Sequence, residues 1–245
     1  MLRIIAFGSL IFCLSTNFAA SQDFGQRLYS QYRCQFVLPL YDQGKRSMNR
    51  VGAIIQDATR IGASNNTIDL GPARYCVKSD EELPAGERAV NYDYRRAIEG
   101  GVSLKADLTN FKLTGLQAEY INEIVINMKN VKVTDLPDNK LDQYVQYARQ
   151  QRSCQAYRRP ELVAGNCLGE LDLKFYFKAD LTIANIEAVI NKLTLNVGGT
   201  VKIEEGQDAD PRDPSRQRKY VRVYTQDGTP AVFGLRMRSA WEGHR

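Results

Sequence analysis

Residues 170–183, ELDLKFYFKADLTI, alternate without a break. Leu171, Leu173, Phe175, Phe177, Ala179, Leu181 and Ile183 fall on one side. Glu170, Asp172, Lys174, Tyr176, Lys178, Asp180 and Thr182 fall on the other. A period of two over this length predicts a long strand with one buried apolar face and one solvated face. Whatever this chain folds into must supply a second layer for that face.

The start of the chain bears on the compartment. Arg3 precedes the apolar run IIAFGSLIFCL (residues 4–14), which is too short to span a bilayer, and AAS at 19–21 offers small residues for cleavage before Gln22. This predicts a signal peptide over 1–21 and a secreted mature chain over 22–245, read as one α+β domain. No later stretch reaches the length of a transmembrane helix. The formal charge of the whole chain is +5. That is too mild to imply a general affinity for nucleic acid.

Past residue 21 four cysteines remain, Cys34, Cys76, Cys154 and Cys167. An even number in an exported chain predicts two disulfides. Three pairings are open, and the nearest neighbours in sequence, Cys34 with Cys76 and Cys154 with Cys167, are favoured. The absence of a C-x-x-C pair argues against a zinc framework. NNT at 65–67 makes Asn65 a glycosylation acceptor if the source is eukaryotic.

Periodicity sets the remaining elements. A short helix is expected within 23–33, and CQFVLPLY (34–41) reads as an edge strand because of Pro39. Met48, Val51, Ile55 and Ile61 predict a helix over 45–61, ended by Gly62. Val102, Leu104, Ala106 and Leu108 alternate, and Phe111 and Leu113 resume after a slip, which predicts a bulged strand. Ile124, Ile126 and Met128 alternate likewise, with Val131 and Val133 following a slip at Asn130. The series Leu116, Tyr120, Ile124, Met128 also fits a helix, but Ile and Val content selects a strand over 122–133. Leu141, Tyr144, Val145 and Ala148 form the apolar side of a helix over 138–152. Residues 186–193 fit either state, and Leu193, Leu195 and Val197 alternate. Composition makes 204–219 a charged flexible loop. YVRVY and AVFGLRMRSAW then read as a hairpin around Asp227–Gly228.

Catalytic signals are sparse. The single histidine, His244, lies at the chain end. That leaves Ser–His, Cys–His and multi-histidine metal mechanisms without support. No P-loop, G-x-S-x-G or G-x-G-x-x-G is present, so no cofactor is implied. Glu81–Glu82 and Glu204–Glu205 read as solvated charge. DADPRDP (208–214) lacks regular calcium-ligand spacing.

GGVSLKADLTNFKLTGLQ (100–117), INEIVINMKNVKV (121–133) and FYFKADLTIANIEAVINKLTLNVGGTVKIEEG (175–206) together resemble the TULIP superfamily of lipid-binding proteins. The likeness is greatest to its juvenile-hormone-binding and takeout-like members, and covers roughly residues 45–206. In the first stretch Leu108, Asn110, Gly115 and Leu116 match the family's L-x-N-x-x-x-x-G-L texture. The helix at 138–152 and the 154–167 segment are not part of that pattern. The resemblance implies a long curved antiparallel sheet packed around one or two helices and enclosing an apolar tunnel for a lipid or terpenoid.

Two functions follow as expectations, both non-enzymatic. The first is a secreted carrier of a hydrophobic small molecule, with Leu104, Ala106, Leu108, Ile124, Ile126, Met128, Leu173, Phe175, Phe177 and Leu181 lining its cavity. The second is an interaction module with a solid core. It would bind an anionic surface or protein partner through Arg222, Arg236 and Arg238 in the basic C-terminal hairpin. Alternation alone shows burial and does not separate a lined cavity from a filled core.

Overall fold

A computed structural model describes residues 23–42, 51–71, 73–77, 86–89, 94–157, 160–197, 201–226 and 229–239. The expected signal segment, His244, the Glu81–Glu82 pair and the 45–50 portion of the expected helix lie outside the described residues. In chain order the elements begin with α1 (Phe24–Tyr32), β1 (Gln35–Asp42), β2 (Ile54–Gln56), β3 (Thr59–Ile61), β4 (Thr67–Asp69) and β5 (Arg74–Val77). Next come β6 (Gly86–Ala89), β7 (Tyr94–Glu99), α2 (Gly101–Thr109), α3 (Leu116–Glu119), β8 (Ile121–Asp135) and α4 (Asp138–Gln150). The chain continues through α5 (Arg152–Gln155), β9 (Glu161–Phe177), α6 (Ile183–Val197), β10 (Val201–Asp210), β11 (Asp213–Thr225) and β12 (Ala231–Ser239).

All of these strands join one mixed sheet, an α+β arrangement. β9 is its axis. The 17-residue strand holds β8 and, at its start, β2 on one edge; the other edge is shared in series by β12 and then β11. The apolar side of the alternating run is Leu171, Leu173, Phe175 and Phe177, all buried; on the other side Glu170, Asp172 and Lys174 are half-buried and Tyr176 is buried. The strand stops at Phe177, earlier than the alternation does. Leu181 is half-buried, Thr182 caps α6 through its hydroxyl, and Ile183 is exposed.

β8 matches its pattern closely. The slip at Asn130 is a bulge in the β8–β9 ladder, with Asn130 in the left-handed region at φ 51°.

The structure corrects several expectations. Residues 101–109 form helix α2, not a strand. Leu104, Leu108 and Phe111 are spaced i, i+4, i+7 with no slip, whereas alternation holds only from Val102 to Leu108, and burial follows the helical reading: Val102 is 85% exposed. Residues 54–61 form β2 and β3 in place of a helix. The alternation at 193–197 is overridden by α6, which buries Ile186, Val189, Leu193, Asn196 and Val197 and leaves Leu195 exposed. β1 is not an edge, because it lies between β12 and β4. Pro39 is tolerated there because the β1–β12 register breaks between Phe36 and Tyr41. The charged segment 204–219 is a paired hairpin of β10 and β11, not a flexible loop. β11 and β12 do not pair with each other; both pair with β9.

The disulfides join Cys34 to Cys167 and Cys76 to Cys154, not sequence neighbours. Topology explains this. Cys34 precedes β1 and Cys167 lies in β9, and the sheet brings those strands together through β12. They close separations of 133 and 78 residues. Loop-entropy arguments put each at about 4–5 kcal/mol against the unfolded chain.

Candidate functional site

The expected apolar walls converge on one core. Leu104, Leu108, Ile124, Ile126, Met128, Leu173, Phe175 and Phe177 are buried in a single cluster, with Leu181 packed at its margin and Ala106 half-buried on α2. Their inner sides meet the protein's own aromatics. Phe111 lies 5.3 Å from Phe175, 5.3 Å from Phe36 and 6.0 Å from Phe24, centroid to centroid. Phe24 comes from α1 and is held in place by its amide N–H, which donates to the buried carboxylate of Asp107 on α2. Below them Asn196 Nδ2 donates to the Phe111 carbonyl at 3.0 Å, which ties α6 to the turn after α2. A notch of about 250 Å³ opens beside Phe177, Ile183, Ile186 and Tyr220.

The larger concavity is elsewhere. A groove of about 950 Å³ lies where the C-terminal end of α1 meets the ends of β8 and β12. Tyr29 and Arg33 come from α1 and its cap, Gln35 from the start of β1, Arg60 from β3 and Asn66 from the turn before β4. Asp135, Leu136 and Pro137 come from the end of β8, and Arg236, Met237 and Arg238 from β12. Arg33 adopts the left-handed cap conformation at φ 60°, and its guanidinium sits 5.9 Å from the Tyr29 ring centre. Arg60 pairs with Glu161, and Arg236 with Asp135. Arg33 and Arg238 are exposed and have no carboxylate partner among the described residues. The groove is therefore positive, with two cations already oriented by acids and two facing solvent.

Of the three arginines singled out from sequence, Arg236 and Arg238 line this groove and Arg222 does not. Arg222 lies on the outer face of the sheet, where it forms a two-pronged pair with Asp172 (2.8 and 3.0 Å) and stacks 4.3 Å from the Tyr224 ring centre. That face continues as a ladder of cations on tyrosines. Lys174 sits 4.4 Å from the Tyr220 ring centre and Arg218 4.1 Å from that of Tyr176. Asp208 accepts from Lys174 Nζ at 2.8 Å and from Tyr176 Oη at 2.7 Å. Burial raises the Tyr176 phenol well above its ordinary range, and the hydrogen bond to Asp208 adds to this. For Asp208 burial opposes the charge, but the bonds from Lys174 and Tyr176 prevail and lower its pKa. These cations are held by intramolecular partners.

Sequence reasoning missed Arg33 and Arg60. They stand far from β12 in the chain, and only the pairing of β12 with β1, of β1 with β4 and of β4 with β3 brings them together. Asn65 is exposed on the loop before β4, whereas Thr67 of the same sequon is buried and donates to Asn110 Oδ1 at 2.6 Å. Among the described residues no group of three or more His, Cys, Asp or Glu side chains is arranged to hold a metal. Nor is any described helix long and apolar enough to cross a membrane.

No family model and no curated protein matches the chain. Among solved structures, a bacterial gasdermin from Bradyrhizobium tropiciagri is similar to it at 13% identity and a TM-score of 0.40. The similarity covers 88% of this chain and 85% of that one.

Proposed function

We propose that this chain is an exported, non-enzymatic binding protein with a solid core, and that it takes an anionic partner in the groove of Arg33, Arg60, Arg236 and Arg238. The observation that carries this reading is the convergence of four guanidiniums from three distant parts of the chain on one open concavity, two of them pre-oriented by carboxylates. Guanidinium forks suit carboxylate, sulfate or phosphate oxygens and cost little to organise when their geometry is already fixed. Export is supported by the signal-like start and the two disulfides. In a eukaryotic host Asn65 would then carry a glycan, added before Thr67 is buried.

Titration with hexaglutamate and with a heparin hexasaccharide tests the groove. Both are expected to bind with a marked salt dependence, and Arg33→Glu with Arg238→Glu is expected to abolish binding while the thermal melt stays unchanged. Affinity insensitive to that double reversal would refute the reading.

A second reading, TULIP-like carriage of an apolar molecule, is supported by the notch beside Phe177, Ile183 and Ile186, which touches the end of the buried wall. It requires the Phe24–Phe36–Phe111 cluster to part for a guest. Native mass spectrometry of the purified protein, followed by solvent extraction, is expected to show a bound lipid if this reading holds; a ligand-free mass would dismiss it.

A further inference from the structure

One wall of the groove is an open strand edge. β12 pairs with β9 through Arg236 opposite Gly165, Met237 opposite Val163 and Arg238 opposite Leu162. On its other side β1 reaches only as far as Leu235, which faces Gln35. Before Gln35 the chain has already turned away into α1 through the left-handed Arg33. Among the described residues no strand pairs with Arg236–Arg238 on that side. In an antiparallel ladder every second residue points its N–H and C=O toward a given neighbour. This stretch therefore presents backbone donors and acceptors to the groove, in line with the place β1 vacates.

Edges of this kind accept an added strand, with main-chain hydrogen bonds giving affinity and alternate side chains giving specificity. The side chains around this edge are cationic: Arg236 and Arg238 share one face of β12, and Arg33 and Arg60 line the same groove. We propose that the anionic partner is an extended acidic peptide that adds to β12 at Arg236–Arg238 as a strand collinear with β1, with carboxylates at alternate positions meeting the arginines. This rests on the reading of the groove as an anion site. It adds that the ligand is polypeptide and that backbone pairing holds it.

The test uses the full chain and a pool of blocked nonapeptides with Glu at alternate positions and the intervening residues varied. The tightest binder is re-measured by calorimetry in two N-methylated forms, one carrying methyl groups on odd-numbered amides and the other on even-numbered ones. Strand addition predicts that one form loses affinity by at least about tenfold while the other keeps it, because only one set of amides faces β12. Arg33→Glu with Arg238→Glu is expected to weaken the parent peptide by a similar factor without lowering the melt. Equal affinity of the two methylated forms overturns the proposal, as does a pool that yields no binder. If hexaglutamate or the heparin hexasaccharide still binds the groove in an arginine-dependent way, the anion reading survives and only strand addition falls. If no anion binds, both fall. Peptide binding that emerges only after residues 240–245 are deleted identifies the chain's own tail as the occupant and also overturns the proposal.

Discussion

Cys34 and Cys167 are bonded across Gly234, the β12 residue that pairs with Phe36 on one side and with Cys167 on the other. A Cβ on Gly234 would lie 2.8 Å from Cys34 Cβ, 3.3 Å from the Gln35 carbonyl oxygen and 3.4 Å from Cys167 Cβ. Only a residue without a side chain lets the disulfide close over the strand. Gly234→Ala is expected to destabilise the protein by about 1–3 kcal/mol, an overpacking cost. A chain of this size should lose about 2–4 °C in melting temperature per kcal/mol. An unchanged melt would show that β12 can shift away.

The same bond gives a second prediction. Replacing Cys34 and Cys167 together by Ala restores the freedom of a loop that closes over a separation of 133 residues. The expected loss is about 4–5 kcal/mol. Urea unfolding reads it as a lower midpoint. A midpoint within error of the parent would mean that the sheet alone constrains both ends.

Phe111 is the contact between the α2 turn and β9. Phe111→Ala removes a ring that touches Phe24, Phe36 and Phe175. The expected cost is about 3–5 kcal/mol, as for other buried aromatic truncations. Calorimetric unfolding checks it. A loss below about 1 kcal/mol would indicate a loosely filled core and would strengthen the carrier reading.

The Tyr176–Asp208 pair makes stability depend on pH at both ends of the scale. The Tyr176 phenol is raised above its ordinary value of 10.0. Its contribution is therefore full below pH 10 and is lost as pH climbs through the higher folded value. Asp208 is shifted downward from 3.8, so its contribution is present above that value and is lost as pH falls below it. Tyr176→Phe is expected to flatten the alkaline limb of a plot of melting temperature against pH. Asp208→Asn is expected to flatten part of the acid limb and to reduce the alkaline one, because the tyrosine loses the negative charge beside it. Profiles that superimpose on the parent would refute the coupling.

The sheet was legible where alternation had no competitor. β8 and the 170–177 part of β9 combine period two with β-branched and aromatic residues, and even the bulge at Asn130 shows as a phase slip; residues 161–169 of β9, buried almost throughout, carry no such period. α2 was misread because Leu104 and Leu108 satisfy both periods, and the slip before Phe111, which a helical spacing removes, reads equally well as a bulge. What decides the state is that residues 101–109 cross over the inner face of the sheet between β7 and β8, a fact of topology. The β10–β11 hairpin was hidden by its composition. Its base buries Val201, Val221 and Val223, and beyond it the charges are matched in register by the ladder, with Glu204 opposite Arg222 and Asp208 opposite Arg218. For the candidate site, Arg236 and Arg238 could be picked from their neighbourhood in sequence. Arg33 and Arg60 could not, since only long-range pairing brings them to the groove.

The central place of β9 has a consequence for biosynthesis. As the chain is made, β3–β4–β1, β2–β5 and β6 and β7 on β8 can each form from residues already synthesised, but they are three unconnected ribbons with open flanks. The strand at 161–177 docks the second onto the third, and the first is attached only when 231–239 follows. Assembly is therefore back-loaded. The interval in which unsealed flanks meet other nascent copies is the period when this protein most needs a holding chaperone.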